Sequence, residues 1–578
     1  MRRALAAVGP LAAFAALVAP NAAAAAEQPR LEEREAVAAL LRHPKVAGWL
    51  DRYPTEGRVT DATRDEDTGQ WTVHVWWQDA GEIATGKVED SSGRVTEAWT
   101  GPQVAWKMAR GYEGAFGGKT INRVEVWLAF CAVFLVGLIS WRRPFTVRTL
   151  DLLALVSFSV PLWFFNDGDV FTSMSLIYLP LGYLAARMVW VGLRGKGSPT
   201  GGVVWPVWVL VAATVFLAGF RIGLNLDDSN VIDVGYSGVI GAHRIVNGEM
   251  PYGHMPAQGK LRRCGEADAE GEVRERIQSN GRCESSNERG DTYGPVAYLA
   301  YVPGYALLGW SGKWDELPAA HFTSIAMDLL VLFGLVLVGR RFGGIRLAAV
   351  LPFAWAAYPF TQYVSSSNTN DALPALFLVW GFWLASSDIA RGAFTALAAW
   401  TKFSPLLVVP LWASYPDGLR RPRAVGLFAA GFAAATVAAF SIVLLEPDPL
   451  HALRVFWDRT FGWQLGRESP FSIWDWGQYH AAGIPDLHLL QLPLIGLVLA
   501  ASVAFAFVPR RKSPLQLAAL TAALLLGFQL VLTHWFFLYI PWFFPFVVFA
   551  VVAPPGRREP RAEAVEAERP APELVAAG

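Results

Sequence analysis

"VVWPVWVLVAATVFLAGFRIGLNLDDSNVIDVGYSGVIGAHRIVNGEMPYG", residues 203–253, passes from an apolar run into polar chain. The run ends at Phe220 and holds about twenty residues, enough for a helix to cross a bilayer. A span that crossed only to return would need a short turn. Here Asp227, Asp228 and Asp233 follow, then Tyr236, Val239, Ile240 and Val246 at roughly helical spacing, then Gly-Glu-Met-Pro-Tyr and a long polar segment. The pattern predicts a membrane span and then a weakly amphipathic helix lying on the membrane, with Asp233 at its N-terminal end. A carboxylate there serves as a helix cap or as a general base toward a hydroxyl. The three carboxylates together are alternatively a site for a divalent cation such as Mg or Mn.

Similar apolar runs lie at 124–141, 149–165, 170–193, 319–339, 345–364, 371–386, 424–445, 487–508, 514–532 and 536–553. A further run, 392–415, carries Lys402, Ser404 and Pro405 at mid-length, which reads as a broken helix or re-entrant hairpin. The expected fold is an α-helical polytopic membrane protein of about eleven transmembrane helices plus this hairpin. The basic clusters Arg142–Arg143, Arg194/Lys196, Arg340–Arg341, Arg420/Arg421/Arg423, Arg510–Lys512 and Arg557/Arg558/Arg561 all fall on one side when residue 30 is outside. That count requires residues 293–310 to lie at the membrane surface. The formal net charge is zero and no basic patch alternates with aromatics, so nucleic acid is excluded as a partner and the bilayer is expected.

Residues 1–26 read as a signal peptide, with Arg2 and Arg3 before a short apolar core and small residues at its end; an uncleaved anchor is the alternative. Residues 27–120 read as an extracytoplasmic domain and linker. A helical stretch at 31–53 precedes alternating strands, with turns at "DTG", "DAG" and "SSG". This helix-then-strands pattern over about residues 30–104 resembles a PepSY-type domain, for which a spacer role stands beside a binding role. Residues 121–202 add membrane helices, 203–556 form the main membrane unit, and the Pro/Ala/Glu-rich tail 557–578 reads as disordered and cytoplasmic. Cys131 lies in an apolar run and reads as an inert core residue. Cys264 and Cys283 lie in the polar segment after Gly253, where an extracytoplasmic setting permits a disulfide; two free thiols are the alternative.

Two large segments, 223–318 and 446–486, and a shorter turn, "SSSNTNDALP" at 365–374, fall on the outer side. They combine Asp and Arg with Trp and Tyr. Indole faces stack on sugars and carboxylates bond their hydroxyls, although Trp and Tyr also mark the bilayer interface. Asp233-Val-Gly-Tyr236, Gly248-Glu-Met-Pro251-Tyr252 and Tyr293-Gly-Pro295 resemble the first outer loop of GT-C polyprenyl-phosphate-dependent glycosyltransferases, family 87 in particular. "SNTNDALPALFLVWGFWL", "LAAWTKFSPLLVVPLW" and "THWFFLYIPWFFPF" are similar to that family's Asn-bearing turn, Lys-x-x-Pro helix break and aromatic last span. The likeness covers about 203–553. It departs from the family at Tyr293-Gly-Pro295, where Tyr-Pro-Pro is usual, and in the insertion holding the two cysteines.

The resemblance implies an inverting transfer of a sugar, mannose or arabinofuranose, from a polyprenyl phosphate to a glycan or glycolipid acceptor on the extracytoplasmic face of the plasma membrane. Asp233 would be the base. Lys402, Arg459 or Arg467 would hold the departing phosphate, and His534 would touch it. Tyr252, Gln464 and Asp291 are candidate sugar or acceptor contacts. The competing readings are a transporter or flippase, which would use deep charges such as Lys402 and Asp328, and a sensor whose ligand-binding part is the N-terminal domain.

Overall fold

The computed structural model describes residues 30–553, apart from 67, 198–202, 258, 267–272, 274, 280, 286 and 315–316. The expected signal peptide and tail lie outside the described residues. The chain forms two compact units with a boundary between Val104 and Ala105.

The first unit is a small α+β domain. Helices α1 (Glu33–Arg42) and α2 (Pro44–Leu50) precede strands β1 (Arg58–Asp65), β2 (Gln70–Trp77), β3 (Gly81–Glu89) and β4 (Val95–Thr100). A reciprocal Glu32–Glu35 capping box starts α1, and Pro44 starts α2, where its missing N–H costs nothing. The strands pair antiparallel in sequence order. Alternation in β2 buries Trp71, Val73 and Val75, within a core that includes Ala36, Leu40, Val46 and Leu50. A bulge after Val75 breaks the register. Asp90 closes the domain, accepting from Trp71 Nε1 (2.9 Å), Leu31 N (3.1 Å) and Arg64 Nη2 (3.2 Å).

The second unit is a helical bundle. Its helices are α3 (Val124–Leu138), α4 (Val147–Asn166), α5 (Val170–Arg194), α6 (Val207–Asp227), α7 (Asp233–Val246), α8 (Pro295–Leu299), α9 (Val302–Leu308), α10 (Pro318–Ala357), α11 (Pro359–Ser366), α12 (Leu373–Trp383), α13 (Asp388–Ala399), α14 (Val409–Ala413), α15 (Pro422–Leu445), α16 (Pro449–Trp457), α17 (His488–Phe507), α18 (Pro514–Leu530) and α19 (Ile540–Val552). Six of these, α4, α5, α6, α10, α15 and α17, are long and apolar enough to cross a membrane. The protein is therefore a polytopic, mainly helical membrane protein. The remaining expected spans contain shorter apolar helices, so the expectation of eleven crossings exceeds what helix length alone supports. Within α10, Gly344 adopts φ 69°, a conformation open to glycine, and the helix folds back there so that Gly339 meets the backbone of Ala348.

Two deep charges belong to the framework. Arg221 on α6 pairs with Asp328 on α10 through two bonds, Nε–Oδ2 at 2.9 Å and Nη2–Oδ1 at 2.5 Å. Trp355 Nε1 donates to the same carboxylate at 2.7 Å, and Arg221 Nη1 reaches Thr361 Oγ1 at 3.1 Å. Burial of either charge alone would be prohibitive; together they tie two helices. Asp151 on α4 is held in the same way by Tyr183 (2.7 Å) and Arg187 (3.1 Å) of α5.

The run 392–415 is a hairpin. α13 ends at Ala399, a 3-10 turn at Ser404–Val408 starts the return, and α14 completes it. Arg391, fully buried, clamps its mouth by donating to the carbonyls of Trp412 (2.8 Å) and Tyr415 (3.0 Å). Lys402 lies at the tip. The segment 293–310 forms the short pair α8 and α9, five and seven residues long, which pack on α7. Neither is long enough to cross.

Candidate functional site

Asp233 is the first residue of α7, and the cap position belongs to Ile232, so the expected capping role is not its own. The expectation of an amphipathic helix with one face open is also corrected. Residues 234–242 are all buried, on every side of the helix. The reason is a stripe of glycines. A Cβ at Gly235 would overlap the Asn368 carbonyl, at Gly238 the Tyr301 ring, and at Gly241 the Tyr298 ring. Removing three side chains lets the turn after α11 and the aromatics of α8–α9 press directly on α7. The apolar positions Tyr236, Val239 and Ile240 face protein rather than lipid.

Within this enclosed helix, Asp233 itself is exposed. Its exposure is that of a recess. Surrounding protein still desolvates the carboxylate and raises its proton affinity above the ordinary carboxylate value, against the pull of the Val234 N–H, Arg467 and Lys402; Asp371 adds to the rise. Four segments far apart in sequence thus share one electrostatic neighbourhood.

Lys402 is 9% exposed and pairs with Asp371, 1% exposed, at 3.2 Å. The ammonium lies 4.1 Å from the centre of the Tyr293 ring, with Tyr539 and Trp542 near 6 Å (5.9 and 6.0 Å). Tyr293 is held under the lysine by its own backbone. Tyr252 Oη donates to the Tyr293 carbonyl at 2.9 Å, and Tyr298 Oη donates to the Gly290 carbonyl at 2.8 Å. The Tyr293-Gly-Pro295 sequence has a geometric basis as well. Gly294 N–H bonds Thr401 O (3.3 Å) and Val296 N–H bonds Trp400 O (3.1 Å), and a Cβ on Gly294 would overlap the Trp400 carbonyl. A proline there would lose the first bond.

Arg467 and His534 form the second part. Arg467 Nη2 donates to His534 Nε2 at 3.1 Å, and an arginine has no lone pair to offer in return. Nε2 must therefore be the acceptor. The ring proton of the neutral imidazole then sits on Nδ1 and points to Ser469 Oγ at 2.8 Å. Burial, with Arg467 and Lys402 adding to it, pushes the imidazole well below its ordinary value, in agreement with that neutral tautomer. The guanidinium stacks over Trp463 at 4.7 Å.

The other expected residues have different places. Arg459 Nε and Asp291 Oδ2 pair at 2.6 Å, and the same oxygen accepts from Gly253 N at 2.8 Å. This pair joins segments 223–318 and 446–486, and Arg459 is thereby committed. Tyr252 is buried and acts as described on Tyr293. Gln464 and Asp227 are exposed. Asp228 Oδ2 accepts from Thr120 N at 2.5 Å, and the Thr120 hydroxyl, helped by the backbone N–H groups of Thr120 and Lys119 and by Arg123, holds its carboxyl below the ordinary range. Asp227, Asp228 and Asp233 therefore do not converge on one ion. Among the described residues no group of three or more His, Cys, Asp or Glu is placed to hold a metal. Cys264 and Cys283 form a disulfide, with Cα atoms 5.9 Å apart, and Cys131 is a buried free thiol.

The set brought together is Asp233, Asp371, Lys402, Arg467 and His534, with Tyr293 and Tyr539 in the wall. Asp371, Tyr293 and Tyr539 carry no role in the sequence reading, although each lies in a stretch that it singles out. The class of protein fixed by the fold is a polytopic helical membrane protein with a small α+β domain. No protein-family model matches the chain, and no curated protein matches it at a significant level.

Proposed function

We propose that the protein transfers a sugar from a polyprenyl phosphate to a hydroxyl of a glycan or glycolipid on the extracytoplasmic face. The observation that carries this reading is the meeting of one open carboxylate, Asp233, with two cations, Lys402 and Arg467, beside the end of a membrane-length helix. A lipid-linked phosphate needs that combination: its chain stays among helices while its charge meets cations at their ends.

In the reaction, the acceptor oxygen attacks the anomeric carbon opposite the phosphate. The acceptor O–H proton passes to Asp233. The anomeric C–O bond to phosphate breaks, and its electron pair leaves with the phosphate oxygen, which Lys402 and Arg467 stabilise. Configuration inverts in this single displacement. Phosphate is a good leaving group, so no general acid is required. The raised proton affinity of Asp233 suits a base that must hold the proton. His534, neutral and accepting from Arg467, fixes the direction of that guanidinium.

Mannose and arabinofuranose donors both fit the family resemblance. The transport reading loses part of its motive, because the deep carboxylate Asp328 is neutralised by Arg221. The test uses purified protein in lipid, a panel of polyprenyl-phosphate sugars and a cell-envelope glycolipid extract, with wild type beside Asp233→Asn. Transfer by wild type and a loss of about 10²–10⁴-fold in the variant is the expected result. An equally active Asn variant removes the base, and absence of both transfer and donor binding in wild type removes the reading.

A further inference from the structure

The turn between α11 and α12 contains two asparagines used in opposite ways. Asn368 adopts φ 53°, uncommon for a residue with a side chain, and its amide is fully engaged. It accepts from Asn225 Nδ2 at 2.8 Å and donates to Ser229 Oγ (3.0 Å) and Asn230 O (3.2 Å). These bonds fix the turn on the end of α6. Two residues on, Asn370 is 0% exposed, and neither its Oδ1 nor its Nδ2 has a hydrogen-bond partner among the described residues. Asp371, 1% exposed, offers Oδ1 to Lys402, while its Oδ2 has no partner among the described residues. Ser404 Oγ, two residues past the lysine, is also buried and unpartnered there.

Buried polar atoms left unbonded are expensive, and a cluster of them on a turn so firmly held marks groups kept for something that binds. Their chemistry defines the ligand. A carboxylate oxygen only accepts. A carboxamide accepts with one end and donates with the other. Adjacent hydroxyls of a sugar ring, each able to donate and accept, match such a pair, and neither a bare phosphate nor a hydrocarbon chain does.

We infer that Asn370 and Asp371, with Ser404 beside them, form the subsite for the hydroxyls of the donor sugar and determine which sugar is accepted. The inference rests on the transferase reading. Lys402 then stands between two tasks, facing Asp371 on one side and the phosphate on the other. The sugar ring is thereby placed against the same lysine that holds its leaving group, with the anomeric carbon turned toward the recess of Asp233.

The experiment measures binding to protein in lipid discs, with three probes: polyprenyl-phosphate mannose, polyprenyl-phosphate arabinofuranose and polyprenyl methyl phosphate. The last keeps the single negative charge of the diester and lacks the sugar. Wild type should bind one sugar-bearing lipid at least tenfold tighter than the methyl ester. Asn370→Ala should erase that margin and leave methyl ester affinity unchanged, which also reports an intact fold. Asp371→Asn, close in shape, should also reduce the margin, and as the partner of Lys402 it is read by the margin alone. Lys402→Met should weaken all three probes. The inference is overturned if wild type shows no margin, if Asn370→Ala and Asp371→Asn keep it, or if Asn370→Ala weakens the methyl ester equally. Transfer by wild type together with a retained margin in these variants would leave the transferase reading standing and remove only the sugar subsite.

Discussion

Replacing Asp328 by Leu tests whether the deep charges are framework or pathway. The substitution leaves Arg221, 1% exposed, with Thr361 and the Ala356 carbonyl as its remaining side-chain partners among the described residues. Stranding one member of a buried pair costs about 3–5 kcal/mol. Trp355 also loses the acceptor it meets at 2.7 Å, a further penalty of about 1–3 kcal/mol for a buried N–H. These contributions share one site and do not add in full. Arg221→Met alone should cost a similar amount, since Asp328 then keeps Trp355 as its one side-chain partner among the described residues. The double variant Arg221→Met/Asp328→Leu removes both charges and should recover most of the loss, leaving about 1–3 kcal/mol for the indole. Thermal and denaturant unfolding of the four proteins in lipid discs gives the coupling energy directly. A double variant destabilised by the full sum of the singles would refute the reasoning, as would a single Asp328→Leu variant of wild-type stability. A double variant that folds normally but loses all function would return these residues to a pathway role.

Other outcomes follow from the site and its supports. Desolvation raises the folded-state proton affinity of Asp233, so its contribution to stability is present below the unfolded pKa and is lost as pH rises through the folded value. Asp233→Asn should therefore unfold at a higher temperature than wild type at pH 7 while losing transfer. The acid limb of the wild-type rate should also lie above the ordinary carboxylate value of about 4, and a midpoint at or below that value contradicts the desolvated recess. Gly294→Ala forces a methyl onto the Trp400 carbonyl and should cost about 1–3 kcal/mol in unfolding measurements; an unchanged midpoint would show that the loop yields freely. Cys264→Ser/Cys283→Ser should free the segment it closes by about 3 kcal/mol of chain order, read as faster proteolytic cleavage between residues 254 and 290 in the native protein. Cleavage at the wild-type rate would mean that packing alone holds that segment.

Helix positions were legible where apolar residues run without interruption, as in α17 and α15. The end of α6 was less so. Its apolar run stops at Phe220, yet the helix continues to Asp227. Arg221 and Asn225 read as polar chain leaving the membrane, but each has a buried partner, Asp328 and Asn368. A single sequence does not reveal such pairing. For α7, the spacing of Tyr236, Val239 and Ile240 correctly gave a helix, but periodicity does not say whether its apolar face meets lipid or protein. The glycines at 235, 238 and 241 carried that information. Lys402 stood out because a charge in an apolar run is costly, whereas Asp371 lay in a turn already polar and gave no contrast. Asp291 and Arg459 read as separate contacts to sugar and phosphate, whereas in the structure they pair with each other.

The Asp388–Ala413 hairpin has a consequence for how the lysine is placed. Twelve helical residues reach about 18 Å, well short of a hydrocarbon core of about 30 Å. Arg391 ties the two arms together at the mouth, Trp412 Nε1 fastens that end to Thr521 of α18 at 2.8 Å, and α15 packs alongside. It works as a depth gauge. Full-length helices answer a thicker or thinner bilayer by tilting, but a short arm fastened at one end to its neighbours carries its tip with the protein and not with the lipid. Lys402 thus keeps a fixed height relative to Tyr293 and Asp371, and an inserted or deleted residue in α13 would turn that tip by about 100° around the helix axis.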